Sequence, residues 1–305
     1  MHFRHALSGL RLLFCLALLT GTHLFAAQEP DPAATASATT HSVIIQRDLA
    51  YWAGRTSDTY ALERGKLDLY LPPSPRAPFP LLVWFHGGGL TGGGKDDPAT
   101  QSVARRFAAQ GVAVAVANYR LSPRAKYPAY IQDAAQAVQW CAAHATQWGG
   151  DRRAVYIGGH SAGGYLVAML AMDEHYLRAA GLDPQSLAGV IPMSGQMVTH
   201  FTIRRERGIP NSDATIIADE AAPIFHLRAQ TPRLLLLMGD NDWPARLEEN
   251  QYFVAALQKV ARNQQVSLVV VPNRDHGSIM TRCLEPGDPA GRAMLSFMHQ
   301  PPRAN

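Results

Sequence analysis

Ser161 lies in Gly158-Gly159-His160-Ser161-Ala162-Gly163-Gly164, with the apolar run 154–157 before it and the helix-like run 165–170 after it. A serine at a sharp strand-to-helix turn, with glycine two residues to either side, presents an exposed and activatable hydroxyl. Neighbouring backbone must pass close to such a turn, so Gly159 and Gly163 have to be small and Ser161 is expected in a strained conformation. Acyl transfer from this hydroxyl needs three more parts. A base takes its proton, an acid orients that base, and N–H donors hold the oxyanion.

The chain has twelve histidines. His2, His5, His23 and His41 fall in the N-terminal segment, and His144 and His299 lie near helix ends. His175 and His200 lie beyond the helix that follows Ser161. His276, in Arg274-Asp275-His276-Gly277, follows the last strand-like run and is the candidate base; the plainer role is a loop histidine donating to a carbonyl. The candidate acid is Asp242, in Met238-Gly239-Asp240-Asn241-Asp242, favoured over Asp240, which suits hydrogen bonding within an Asn/Asp-rich turn. Gly87 and Gly88 of His86-Gly87-Gly88-Gly89, with Ala162 after the nucleophile, are the candidate oxyanion donors. His86 is expected to brace that loop, and Gly89, Gly159 and Gly163 to support the two motifs. Gly92-Gly93-Gly94-Lys95 invites a phosphate-loop reading but lacks the spacing. No Cys/His cluster has metal-ligand spacing, so neither metal nor cofactor is expected.

The elements that must carry these residues follow from periodicity. Strand-like runs cover 42–47, 66–71, 81–85, 112–117, 154–158, 187–192, 233–238 and 267–271. Helix-like runs cover 100–110, 128–144, 163–172, 247–261 and 289–299. Nearly continuous apolar strands alternating with helices predict an α/β fold, a mostly parallel sheet with helices on both faces. The first two strands, joined without a helix, predict an antiparallel N-terminal edge. The longest interruption, 194–231, is expected to be either a lid or pocket wall or a surface excursion over the sheet edge.

The chain has 305 residues, 47% hydrophobic and 17% charged, which suits one large core over residues 42–305. Residues 1–27 combine Arg4 and Arg11 with a short apolar stretch ending in Phe25-Ala26-Ala27, the pattern of a cleaved secretory signal peptide rather than a membrane anchor. Residues 28–41, rich in Ala, Thr and Pro, read as a disordered leader. Removing 1–27 takes away two Arg and no acid, so the net charge falls from +4 to +2. No basic run or face points to nucleic acid. Cys141 and Cys283 are expected free and buried, with a disulfide as the less favoured alternative. Oligomeric state is not legible.

The block Asn118-Tyr119-Arg120-Leu121-Ser122-Pro123, then Tyr127-Pro128-Ala129, Asp133-Ala134-Ala135 and Trp140, together with His86-Gly87-Gly88-Gly89, resembles the HGGG-bearing carboxylesterases of the α/β-hydrolase fold. The nearest branch is the bimodular-feruloyl-esterase-like and acetyl-esterase-like group, related to the hormone-sensitive-lipase family and to kynurenine formamidase. The resemblance covers roughly residues 42–300. It implies a Ser161–Asp242–His276 triad and an oxyanion hole at Gly87, Gly88 and Ala162. Two features depart from the lipase relatives: His160 stands where many carry Asp, and residues 28–80 hold no long amphipathic helix for a cap. Asp133 and Trp140 are expected to cap a helix or pack the core. The expected function is an exported serine ester hydrolase working through an acyl-enzyme on a small-molecule or polysaccharide-linked ester. An arylformamidase-like amidase, a peptidase and a non-catalytic binding protein on the same fold are the alternatives.

Overall fold

The computed structural model describes residues 42–73, 78–283 and 285–300; the signal and leader expected over 1–41 lie outside them. In chain order the elements are β1 (Ile44–Ala50), α1 (Thr59–Arg64), β2 (Lys66–Leu71), β3 (Phe79–Phe85), α2 (Pro98–Ala109), β4 (Ala113–Ala117), α3 (Ala129–His144), β5 (Gly150–His160), α4 (Ala162–Met172), α5 (Glu174–Ala179), β6 (Gly189–Met193), α6 (Phe201–Glu206), β7 (Leu234–Asn241), α7 (Arg246–Lys259), β8 (Val266–Asp275), α8 (Ser278–Thr281) and α9 (Pro289–His299). The strands form one sheet in the order β1-β2-β4-β3-β5-β6-β7-β8. The pairs β1/β2 and β2/β4 are antiparallel and every other pair is parallel. This is the α/β-hydrolase fold with its antiparallel edge.

Side-chain alternation sends each strand's residues into two cores. Leu81, Val83 and Phe85 join the core under α3, α4 and α7, whereas Leu82 and Trp84 join the core under α2, α8 and α9. Cys141 lies in the first core and Cys283 in the second, both free. Helix α2 shows why these segments are helical. Asp97 caps it by accepting from the N–H groups of Ala99 and Thr100, and Pro98 occupies the first turn. Its buried positions Thr100, Val103, Ala104, Phe107 and Ala108 form one stripe at helical spacing.

Two expectations need correction. A helix does join β1 and β2. Asp58 caps α1 by accepting from the N–H groups of Tyr60 and Ala61, and six residues are too few to show an apolar period. Asp133 neither caps nor packs apolar surface. It is fully buried on α3 and accepts from the Arg120 N–H at 2.7 Å, from its guanidinium at 2.7 Å and from Trp52 Nε1 at 2.9 Å. That carboxylate ties the segment after β4 to α3 and to the turn that follows β1. Trp140 stacks on His144 with ring centroids 4.1 Å apart.

Candidate active site

Ser161 joins β5 to α4 with φ 56° and ψ −115°, a conformation few non-glycine residues adopt. Two backbone bonds hold it there: its N–H donates to Met193 O at 2.9 Å, and its own carbonyl accepts from the Tyr165 N–H at 2.9 Å. A β-carbon on Gly163 would run into the Phe85 carbonyl, and one on Gly159 would meet the backbone of Gly163. Every residue of α4 is buried. Each large apolar side chain in it contributes about 1.5–3 kcal/mol by leaving water, so the turn stands on a rigid base.

Sheet register brings the next two residues together. Asn241 of β7 is paired with Asp275 of β8, so Asp242 and His276 follow as neighbours just past the ends of adjacent strands. His276 Nδ1 lies 2.7 Å from Asp242 Oδ1, and its Nε2 lies 2.9 Å from Ser161 Oγ. Because a carboxylate only accepts, Nδ1 carries the proton and the Nε2 lone pair faces the hydroxyl. Burial would raise the pKa of Asp242, but bonds from His276, Ser194 and the Trp243 N–H outweigh it and hold the carboxyl below its ordinary value. Asp240 lies in β7 and instead accepts from the neighbouring Asn241 Nδ2 and, across to β8, from the Arg274 N–H.

The glycine loop lies on the other side of Ser161. A β-carbon on Gly87 would stand 3.3 Å from that of Ser161, and Gly88 has φ +105° with the Gly92 carbonyl packed where a side chain would go. Among the described residues, the N–H groups of Gly87, Gly88 and Ala162 donate to no protein acceptor. They are left for a ligand oxygen. His86 is fully buried, stacks on Tyr119 with centroids 4.4 Å apart, and its Nδ1 donates to Gly87 O at 2.7 Å. Burial pushes its pKa down to about 4, so it braces the loop as a neutral ring. Lys95 is committed to Asp68 and Asp48, each at 2.9 Å, which removes the cation that a phosphate loop would need.

Sequence reasoning missed four neighbours. Ser194 Oγ donates to Asp242 Oδ2 at 2.6 Å. The Trp243 N–H donates to Asp242 Oδ1 at 2.7 Å, and its indole stacks on His276 at 3.7 Å. His160, the residue before the nucleophile, donates from Nε2 to the His276 carbonyl at 2.6 Å. Burial, followed by the nearby His276, lowers its pKa to about 4. The fourth is Arg204, in a cavity of about 590 Å³ bounded by the segment 196–216 and by residues 243–249. Ser194, in Met193-Ser194-Gly195 at a strand end, had a signal of its own in the sequence, and His160 showed there only as a departure from the lipase relatives. The segment 194–231 follows β6, an interior strand, and residues from 196 to 216 line this cavity.

Residues 67–195 match the BD-FAE family model. The chain is 27% identical over 244 residues to esterase LipC of Mycobacterium tuberculosis, covering 74% of this chain and 59% of that one. It is 39% identical over 161 residues to carboxylesterase NlhH of the same organism, covering 52% and 47%. The chain thus spans about half the length of these curated relatives. A truncated carbohydrate esterase from gut microbiota superposes with TM-score 0.68 at 17% identity, covering 86% of this chain and 97% of that one, and shares its fold. With the serine turn and the glycine loop both inside the matched segment, the chain has the α/β-hydrolase fold and is similar to carboxylesterases.

Proposed function

We propose that the protein is a serine carboxylic-ester hydrolase acting through an acyl-enzyme. The observation that carries this reading is the hydrogen-bond chain from Ser161 through His276 to Asp242, beside unpaired N–H groups at Gly87, Gly88 and Ala162. His276 Nε2 takes the hydroxyl proton as Ser161 Oγ attacks the ester carbonyl. The carbonyl oxygen, now negative, receives the three N–H groups. Asp242 keeps the imidazole in the required tautomer and stabilises it once charged. Collapse of the intermediate expels the alcohol, which takes the proton from His276. Water then enters by the same route, releases the acid and restores Ser161.

Short-acyl, acetyl or feruloyl esters, free or linked to polysaccharide, are the proposed substrates. Support comes from the BD-FAE match and from the fold shared with a protein called a carbohydrate esterase. Export rests on the pattern of residues 1–27 alone, and fractionation of the expressing cell tests it. The test of mechanism is Ser161→Ala. Turnover of p-nitrophenyl butyrate should fall by roughly 10⁴-fold or more, and labelling by a fluorophosphonate probe should vanish. Parent-level turnover in a folded variant would overturn the reading. A panel of acyl lengths, feruloyl esters, acetylated xylan and N-formylkynurenine then sorts the substrate and tests amide cleavage.

A further inference from the structure

Arg204 is a large charged side chain sealed into the wall of the cavity that Trp243 shares with the triad. It sits on α6 and is 1% exposed. Among the described residues its guanidinium makes no hydrogen bond, and Nε and Nη1 are closed off from solvent without a partner. Buried donors are nearly always satisfied, and a guanidinium is the most demanding donor a protein has. An arginine kept in this state beside an open cavity is waiting for an acceptor that the chain itself does not supply.

The neighbouring charges narrow what that acceptor is. Arg205 is neutralised by Asp213 at 2.8 Å. Arg246 donates to Ser194 O at 3.2 Å and faces Glu249 at 4.0 Å. Glu249 in turn is occupied by the N–H groups of Met197 and Val198. Three arginines against Asp213 and Glu249 leave a net single positive charge on the cavity, and among the described residues Arg204 alone of the three makes no hydrogen bond. One planar guanidinium with one net charge matches one carboxylate, and falls short of the two charges of a phosphate monoester.

Resting on the ester-hydrolase reading, we propose that Arg204 is a specificity-determining residue that binds a carboxylate carried by the substrate, so that the preferred esters are acidic ones. The carboxylate can belong to the acyl part, as in a dicarboxylic half-ester, or to the alcohol part, as in an acylated uronic or hydroxybenzoic acid. Trp243, half exposed and stacked on His276, forms the opposite wall of the same cavity and offers a flat surface to the portion between carboxylate and ester.

The kinetic test compares matched acidic and neutral esters. On the acyl side the pair is p-nitrophenyl hydrogen glutarate and p-nitrophenyl butyrate; on the alcohol side it is 4-acetoxybenzoate and its methyl ester. For at least one pair the parent should favour the acidic member, and Arg204→Met should lower the acidic-to-neutral ratio of kcat/KM by about 10- to 100-fold. Arg204→Lys should retain part of that ratio. A binding arm does not depend on turnover. By calorimetry the Ser161→Ala protein should bind glutarate or 4-hydroxybenzoate, and adding Arg204→Met should weaken binding by a similar factor, while the neutral amides of these acids are held equally by both. If Arg204→Met moves both ratios by less than about twofold and leaves acid binding unchanged, the proposal is overturned. If no ester is turned over but acid binding depends on Arg204, the hydrolase reading fails and the carboxylate site stands.

Discussion

The side-chain polar groups of His276 and Asp242 are all partnered, whereas across the cavity Arg204 has no partner among the described residues. Asp242 accepts from three donors, His276 contacts both Asp242 and Ser161, and His160 holds the backbone carbonyl of His276. Among the described residues, the cavity wall carries a buried guanidinium with no acceptor. Under the proposed function, the difference separates two tasks. Reacting groups have to be oriented before substrate arrives, because reorganising them during the reaction would add to the barrier. Recognition groups gain most when the ligand supplies the missing acceptor, since an unmet need for a hydrogen bond is what discriminates against the wrong ligand.

Substitutions should divide along the same line. The largest effect is expected at Ser161, as stated above. Next comes the acid pair. Asp242→Asn should lower kcat/KM for p-nitrophenyl butyrate by about 10³- to 10⁴-fold, because the amide favours the wrong imidazole tautomer. Asp240→Asn, on β7 and away from His276, should change it by less than about threefold. The reverse ranking, in steady-state assays of both purified variants, would transfer the acid's role to Asp240. The Arg204 variants follow, with an effect on selectivity where the triad variants remove turnover. Ser194→Ala removes one of the three bonds to Asp242 and should lower kcat by about fivefold. No change would mean that His276 and the Trp243 N–H suffice to hold the carboxylate.

The smallest effect is a pH dependence of stability. His160 and His86 have ordinary values of 6.5 lowered to about 4 in the fold, chiefly by burial. Between about 6.5 and 4 the unfolded chain therefore binds more protons than the folded one, and stability declines as pH is lowered through that window. Each group adds a slope of at most about 1.4 kcal/mol per pH unit. Urea midpoints at pH 7 and pH 5 measure it, and His160→Gln should flatten the decline. Equal midpoints in the parent protein would show that these rings do not stay neutral.

How legible each part was depended on how local its cause is. All eight strands and the five long helices showed in the sequence, since a buried strand or an amphipathic helix writes its own period. The short α1, α5, α6 and α8 did not, because four to six residues hold less than two turns of pattern. Ser161 and the glycine loop were legible because steric demand restricts which residues can occupy such turns. Asp133 misled because a buried carboxylate in a helix looks the same whether it caps, packs or pairs. Its partner Arg120 lies only thirteen positions away, yet no periodicity links the two.

The sequence alone determined the residue types, the chain order Ser161, Asp242, His276 and the glycine turns, because backbone geometry at each of those points depends on a few adjacent residues. Tertiary structure decided the rest. The pairing of Asn241 with Asp275 set Asp242 and His276 side by side, and a fold-wide register has no local signature. The burial of Arg204 beside an open cavity likewise depends on segments from two separate loops. A guanidinium's need for a partner becomes visible only once water has been taken away from it.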